Sequence, residues 1–249
     1  MRTTCIEVIV MNGILLFIIL TVVYSVIRYK VTDKKLSMIW GIAYISVLLI
    51  SFYFVNLSIT KDMCGTTQAG TAFMVTLVPW FFVFIIMGLM LMVFPGWLAP
   101  FSNTFGYLFA KLAGLSTIMN KIIAPKIQTD VNNRAAANAL QQIYGDQSLV
   151  VNQLTEANFE GFWSKMTAAK LFNPDADNYK DALLKMVRLK NTVAEAIWAL
   201  LSGGVAISIS NSFISGTACH QSAKEMMQRH NQFESEPNEK KEKRVYTLE

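Results

Sequence analysis

The sequence predicts an all-α membrane protein with about four transmembrane helices, an interfacial helix, and a small helical soluble domain between spans three and four. Three observations carry that prediction. From Met63 to Ala110 the chain runs 48 residues without an Asp, Glu, Lys or Arg. The stretches 8–27, 36–59 and 196–219 are equally free of formal charge and long enough to cross a bilayer, which needs about 20 apolar residues per helix. The composition agrees, with 53% apolar residues, 16% charged residues and a mean hydropathy of +0.37.

The membrane region covers residues 1–119. Span one, 8–27, reads as an uncleaved anchor with an exported N-terminus. Its apolar run exceeds the roughly 7–15 residues of a signal-peptide core. No small-x-small cleavage site follows it, and the basic cluster Arg28, Lys30, Lys34 and Lys35 comes after it rather than before. Span two is 36–59, and a short polar loop, 60–68, leads out of it. The uncharged run that follows cannot be one straight helix. It would measure about 72 Å at 1.5 Å per residue, against a hydrocarbon core of about 30 Å. Pro79 and Pro95-Gly96 are its helix-breaking residues, and the break falls at Pro95-Gly96, where a proline without a donor meets a glycine free to turn. Span three is therefore 71–94. After it, Trp97, Phe101, Phe105 and Tyr107 give the segment 97–119 the amphipathic rings of a headgroup-level helix. A fifth span at 101–119 is the competing arrangement, but it would bring Lys111 near mid-membrane, at about 2.5–3.5 kcal/mol on insertion scales.

The polar region 120–192 predicts three short helices around one small core. Asp130 can cap Arg134 to Ile143, which Gly145-Asp146 closes. Thr155 can cap a helix carrying Phe159, Phe162, Trp163 and Met166, with Asn173-Pro174 as its stop. A third helix starts near Asp177 or Asn178 and carries Ala182, Leu183, Met186 and Leu189 toward the fourth span, 193–219. The apolar residues recur at three- and four-residue spacing. The tail, 220–249, centres on Glu239-Lys240-Lys241-Glu242-Lys243-Arg244 and has too little apolar surface to offset its ordering entropy, so it is expected to be disordered.

Short loops rich in Lys and Arg stay on the cytoplasmic side. The cluster at 28–35, then Lys111, Lys121 and Lys126, then Lys185, Arg188 and Lys190 all fall on one side. That puts the N-terminus and the tail on the exported face. The net charge of +5 comes mostly from these clusters and points to anionic headgroups rather than nucleic acid.

Chemistry-bearing motifs are few. His220 and His230 stand with no partners at metal-ligand spacing, so no metal site is predicted. Asp175-Ala176-Asp177-Asn178-Tyr179-Lys180-Asp181 starts like a calcium loop, but its sixth position is Lys180 rather than Gly and its twelfth is Met186 rather than Glu. Phosphate-loop and nucleophile-elbow motifs are missing, and the sequence predicts neither a cofactor nor an enzyme. Within the spans lie Asn12, Asn56, Asn211 and several hydroxyls, but no ionisable group that would mark an ion path.

Two constellations remain. Gly204, Ser208, Ser212 and Gly216 recur every fourth residue on one face of the last span, the small-xxx-small pattern that lets helix backbones approach closely. Either a closed bundle or a homo-oligomer would use it. Cys5, Cys64 and Cys219 all fall near the exported end. In an oxidising compartment one pair could bridge; otherwise all three are small apolar thiols.

The run Cys64-Gly65-Thr66-Thr67-Gln68-Ala69-Gly70-Thr71-Ala72-Phe73, then Thr76-Leu77-Val78-Pro79-Trp80, then Phe94-Pro95-Gly96-Trp97-Leu98-Ala99-Pro100-Phe101-Ser102-Asn103-Thr104-Phe105-Gly106-Tyr107 resembles a transmembrane virion protein family of large icosahedral DNA viruses, the phycodnaviruses and their nucleocytoplasmic relatives. The resemblance is most specific over residues 64–107. It implies a structural protein of the virion's inner membrane, derived from host endoplasmic reticulum, beneath a shell of jelly-roll capsid proteins. Its expected partners are the lipid bilayer and capsid or minor capsid proteins. Two alternatives stay open: a channel or transporter-like protein lined by Asn12, Asn56, Asn211 and Ser208, and an assembly factor absent from the finished particle.

Overall fold

The computed structural model describes residues 2–123, 145–169, 171–217 and 219, with 227–228, 230–231 and 234–235 of the tail. Among them the chain is all-α, and four helices are long and apolar enough to cross a membrane. It is a multi-pass membrane protein with two hydrophobic cores.

Helix α1, Arg2–Lys30, and α2, Lys34–Cys64, form an antiparallel pair. Asp33 caps α2 by accepting a hydrogen bond from the Leu36 N–H at 2.8 Å. Gly65 closes it with a φ of 70°, a left-handed conformation that favours glycine, and its N–H bonds the Lys61 carbonyl. The helix thus runs five residues past the expected end at 59, through Lys61 and Asp62. At 31 residues it is about 46 Å long, so its ends protrude into headgroups and water, where those charges are solvated.

Helix α3, Ala69–Val93, is the third span. Pro79, expected among the breaking residues, does not end it: the helix passes through Pro79 and relaxes into π turns over Trp80–Ile85. Neighbouring helices in a membrane can satisfy the backbone groups that proline frees. The break falls at Phe94, and Pro95 restarts the chain in a 3-10 turn, Pro95–Leu98. Residues 95–112 then form one distorted helix, α4, with π turns over Ser102–Gly106. Gly114, with a φ of 102°, ends it.

The small domain uses α5, Leu115–Ile122; α6, Ser148–Val151; α7, Phe159–Ala168; and the start of α8, Lys180–Ser215. Leu115, Met119, Ile122, Leu154, Phe159 and Leu183 are among its fully buried side chains. Two expected boundaries therefore move. Residues 115–119 leave the interfacial segment and join this core in one helix with 120–122, and α8 crosses the 192/193 border without interruption. Thr155 and Asn158 exchange side-chain-to-backbone hydrogen bonds ahead of α7. Asp146 accepts from the Ser148 N–H and caps α6. The expected helix Arg134 to Ile143 and its cap Asp130 lie outside the described residues, as does most of the tail. The tail residues that are described at 227–235 are helical rather than irregular, with His230 Nε2 3.4 Å from Glu234 Oε1.

In the membrane, α1 packs on α2, α2 on α3, α3 on α8 and α8 back on α1. Phe17, Leu48, Phe52, Trp80, Ala206 and Ile207 fill the middle of this ring, and Ile59, Val75 and Ile214 fill its Cys64 end.

Candidate functional site

Helix α8 belongs to both cores and joins them. Its uncharged half, 196–215, is about 30 Å long, the thickness of a hydrocarbon core. Its other half carries Lys180, Asp181, Lys185, Arg188, Lys190 and Glu195, charges whose burial in hydrocarbon would be costly. In the outer half Leu183, Val187, Lys190 and Ala194 are buried; in the membrane half Gly203, Ala206, Ile207, Ser210 and Ile214 are, with Thr192 continuing their side of the helix and Ser202 at its edge. Counted at 100° per residue, these two sets fall on opposite sides of the helix. The small domain and the bundle therefore grip opposite faces of one rod.

Helix α4 runs along the outer half instead of lying flat in the interface. Gly106 makes this approach, since a Cβ there would overlap the Lys190 carbonyl oxygen and come within 2.9 Å of its Cγ. Ser102 donates to Asn191 Oδ1 at 3.2 Å. The expected aromatic belt divides accordingly. Trp97 and Phe101 gather around Trp198, with ring centroids 6.4 and 5.8 Å away, and Phe94 stacks on Trp97. Tyr107 packs on the small-domain core. Arg28 lies 3.7 Å from Glu195, so the end of α1, the Trp198 cluster and the edge of the uncharged half of α8 mark one membrane border.

Lys190, expected among the headgroup-facing cations, is only 1% exposed. Its Nζ donates to the Val151 carbonyl at 2.8 Å, tying the end of α6 to α8. Burial pushes its pKa down to about 8. Lys121 stands over the Tyr179 ring at 5.1 Å. Asn173, expected as a helix stop, does more: its side-chain amide donates to the carbonyls of Lys121 and Ile123 and so caps α5. No periodicity points to a contact across 50 residues.

Inside the bundle, several polar groups are paired across helices. Asn56 Nδ2 donates to Thr76 Oγ1 at 2.8 Å, and Thr76 Oγ1 donates to the Ala72 carbonyl. Pro79 has no N–H to offer the Val75 carbonyl one turn back, and Ser210 Oγ of α8 donates to that carbonyl at 2.7 Å. The groups weighed as a path do not converge: Asn56 is buried on Thr76, whereas Asn12 and Ser208 face outward. The axis between them is filled by Phe17, Phe52 and Trp80.

Gly204, Ser208, Ser212 and Gly216 are all on the exposed face of α8. They do not close the bundle. The close approach falls one residue earlier, at Gly203, where a Cβ would overlap the Phe17 ring. At the end of the bundle away from the Arg28–Glu195 border a disulfide joins Cys64 to Cys219, with Cα atoms 5.3 Å apart. The side chain of Cys5 lies outside the described residues. Among the described residues no group of three or more His, Cys, Asp or Glu could hold a metal ion.

These arrangements suit holding and positioning: two cores on one rod, a covalent tie at one end and a charged, aromatic border at the other. Comparison with family models, with curated proteins and with solved structures found no match, so the reading of function rests on this architecture and on the residues themselves.

Proposed function

We propose that this chain is a structural integral membrane protein of a viral inner membrane, anchoring the bilayer to capsid or minor capsid proteins through its small helical domain. One observation carries the proposal. The 36-residue helix α8 is embedded in both cores, so a force on the small domain reaches the bilayer through a continuous hydrogen-bonded rod of about 54 Å. A flexible linker would give up that stiffness. The small domain exposes Lys165 and Lys185, beside Lys180 and Arg188 paired with Glu160 and Glu156, and an array of such contacts on a regular shell gains by multivalency even where each is weak. The residues 64–107 that carry the resemblance build the third span and α4, the parts that set the depth and angle of α8. Nothing in this role calls for catalysis or a cofactor.

Cross-linking mass spectrometry on intact, gradient-purified particles tests the proposal. Links from Lys165, Lys180 or Lys185 to capsid proteins are the expected outcome. A chain that is abundant in particles but linked only to itself would overturn the connector role and favour a membrane scaffold or an oligomeric channel. A chain missing from particles would make it an assembly factor.

A further inference from the structure

We infer that the Cys64–Cys219 disulfide is an insertion clasp: it forms only after the fourth span has crossed the bilayer, and it fixes the small domain on the reducing face and the tail on the oxidising one. The two cysteines are 155 residues apart in sequence, yet their Cα atoms are 5.3 Å apart at the end of the bundle away from the Arg28–Glu195 border. Cys64 is the last residue of α2, and Cys219 lies four residues past the end of α8. Before α8 inserts, Cys219 is on the near side of the membrane, a hydrocarbon thickness of about 30 Å from Cys64. No rearrangement of a four-residue connection spans that distance. Little else pins α8 at this end: Ile214 packs with Ile59 and Val75, and Ser210 bonds the Val75 carbonyl.

Sidedness follows from two unrelated kinds of residue. The basic groups Arg28, Lys30, Lys35, Lys111 and Lys121 belong to one end and report the cytoplasmic side. The disulfide belongs to the other end and reports an oxidising compartment. In the step itself, two thiols reduce an exchangeable disulfide donor of that compartment. The Cys64–Cys219 bond forms, the donor's sulfur–sulfur bond breaks, and the donor leaves as two thiols carrying the two protons. The clasp holds whatever the small domain binds, so it stands or falls apart from the connector role.

The test uses the full chain translated into endoplasmic-reticulum microsomes, with free thiols blocked by N-ethylmaleimide before lysis. Protease is added to the intact vesicles, and an antibody to residues 236–249 detects the tail. Cleavage in the exposed small domain should leave the tail protected. On a non-reducing gel the tail fragment should remain joined to the amino-terminal spans, and reductant should release it as a shorter band. A tail fragment that runs alone without reductant shows that the clasp is not formed. Loss of the tail from intact vesicles reverses the sidedness. Chains whose mobility shifts with reductant before protease is added, but whose tail signal is lost once it is added to intact vesicles, would show that the bond forms without insertion. Any of these three results overturns the inference.

Discussion

The bond between Ser210 and the Val75 carbonyl gives the sharpest test of how the bundle tolerates a proline. Ser210 is 1% exposed and Val75 8% exposed, and the hydroxyl reaches the carbonyl at 2.7 Å. Ser210→Ala leaves that carbonyl without a donor, because Pro79 has none to give. An unsatisfied buried carbonyl costs about 1–3 kcal/mol, while interhelical hydrogen bonds in membranes average about 0.6 and reach about 1.7 kcal/mol. The expected loss is therefore about 1–2 kcal/mol. Pro79→Ala restores an N–H one turn beyond Val75, lets the π turns revert, and makes Ser210 dispensable. In that background Ser210→Ala should cost less than about 0.5 kcal/mol, the range within which independent sites add. The assay is a double-mutant cycle read by far-ultraviolet circular dichroism as dodecyl maltoside micelles are titrated with dodecyl sulfate. An equal penalty for Ser210→Ala in both backgrounds would refute the idea that Ser210 is there for the proline.

Three other perturbations discriminate among the contacts of α8. Gly106→Ala sets a methyl group against the Lys190 backbone, which cannot swing aside; it should cost about 1–3 kcal/mol and expose the small domain to limited proteolysis, and unchanged cleavage would show that α4 is not clamped there. Gly203→Leu should collapse the folded yield in detergent because Phe17 fills the space, whereas Gly204→Leu, on the exposed face, should leave the monomer's melting temperature within a few degrees and alter only self-association; similar melting losses in both would contradict the assigned faces. For Lys190 the folded pKa of about 8 lies below the ordinary lysine value of 10.5, so the unfolded chain binds more protons between those values and stability rises with pH across that window. The gain is at most about 3.4 kcal/mol at 1.36 kcal/mol per unit. Lys190→Met should flatten that rise relative to the parent, and parallel pH curves would place the ammonium in water.

What could be read from the sequence follows physical range. Uncharged runs of about 20 residues have one stable environment, so the four spans and the break before Pro95 were legible. The faces were not. Small residues at 204, 208, 212 and 216 recur as regularly as a packing stripe should, yet Gly203 is the residue against Phe17, because the partner's bulk decides which small residue is needed. Pro79 reads as a breaker only while its neighbours are unknown; Ser210, 131 residues away, makes it tolerable. Lys190 counts as a headgroup cation until the end of α6 is seen to cover it, and a pattern of local spacing carries no signal of that carbonyl. From the sequence alone the domain changes at residue 192, close to where charged residues give way to apolar ones. A helix is indifferent to that change: its backbone bonds continue as long as each half finds a surface to bury against.

That indifference explains where the chain is distorted. Both π segments, Trp80–Ile85 and Ser102–Gly106, pack against α8. The first lies on its membrane half and brings Trp80 into the aromatic cluster with Phe17 and Phe52. The second lies on its outer half and sets Gly106 against the Lys190 backbone. A π turn shifts the register of every later side chain on its helix, and such turns gather where geometry must be adjusted for use. Helix α8 itself is unbroken for 36 residues. The unbroken element acts as the template and its neighbours yield to it, which is the expected division if α8 carries load between two bodies. If that division is right, inserting one residue between Gly204 and Val205 of α8 should be worse than inserting one between Met92 and Val93 of α3. The first rotates Ile207, Ser210 and Ile214 by about 100° relative to the small domain, whereas the second lies a turn from an existing break. Comparable losses of folded, disulfide-linked protein from the two insertions would show that α8 is one helix among equals and that the rod is not what organises the fold.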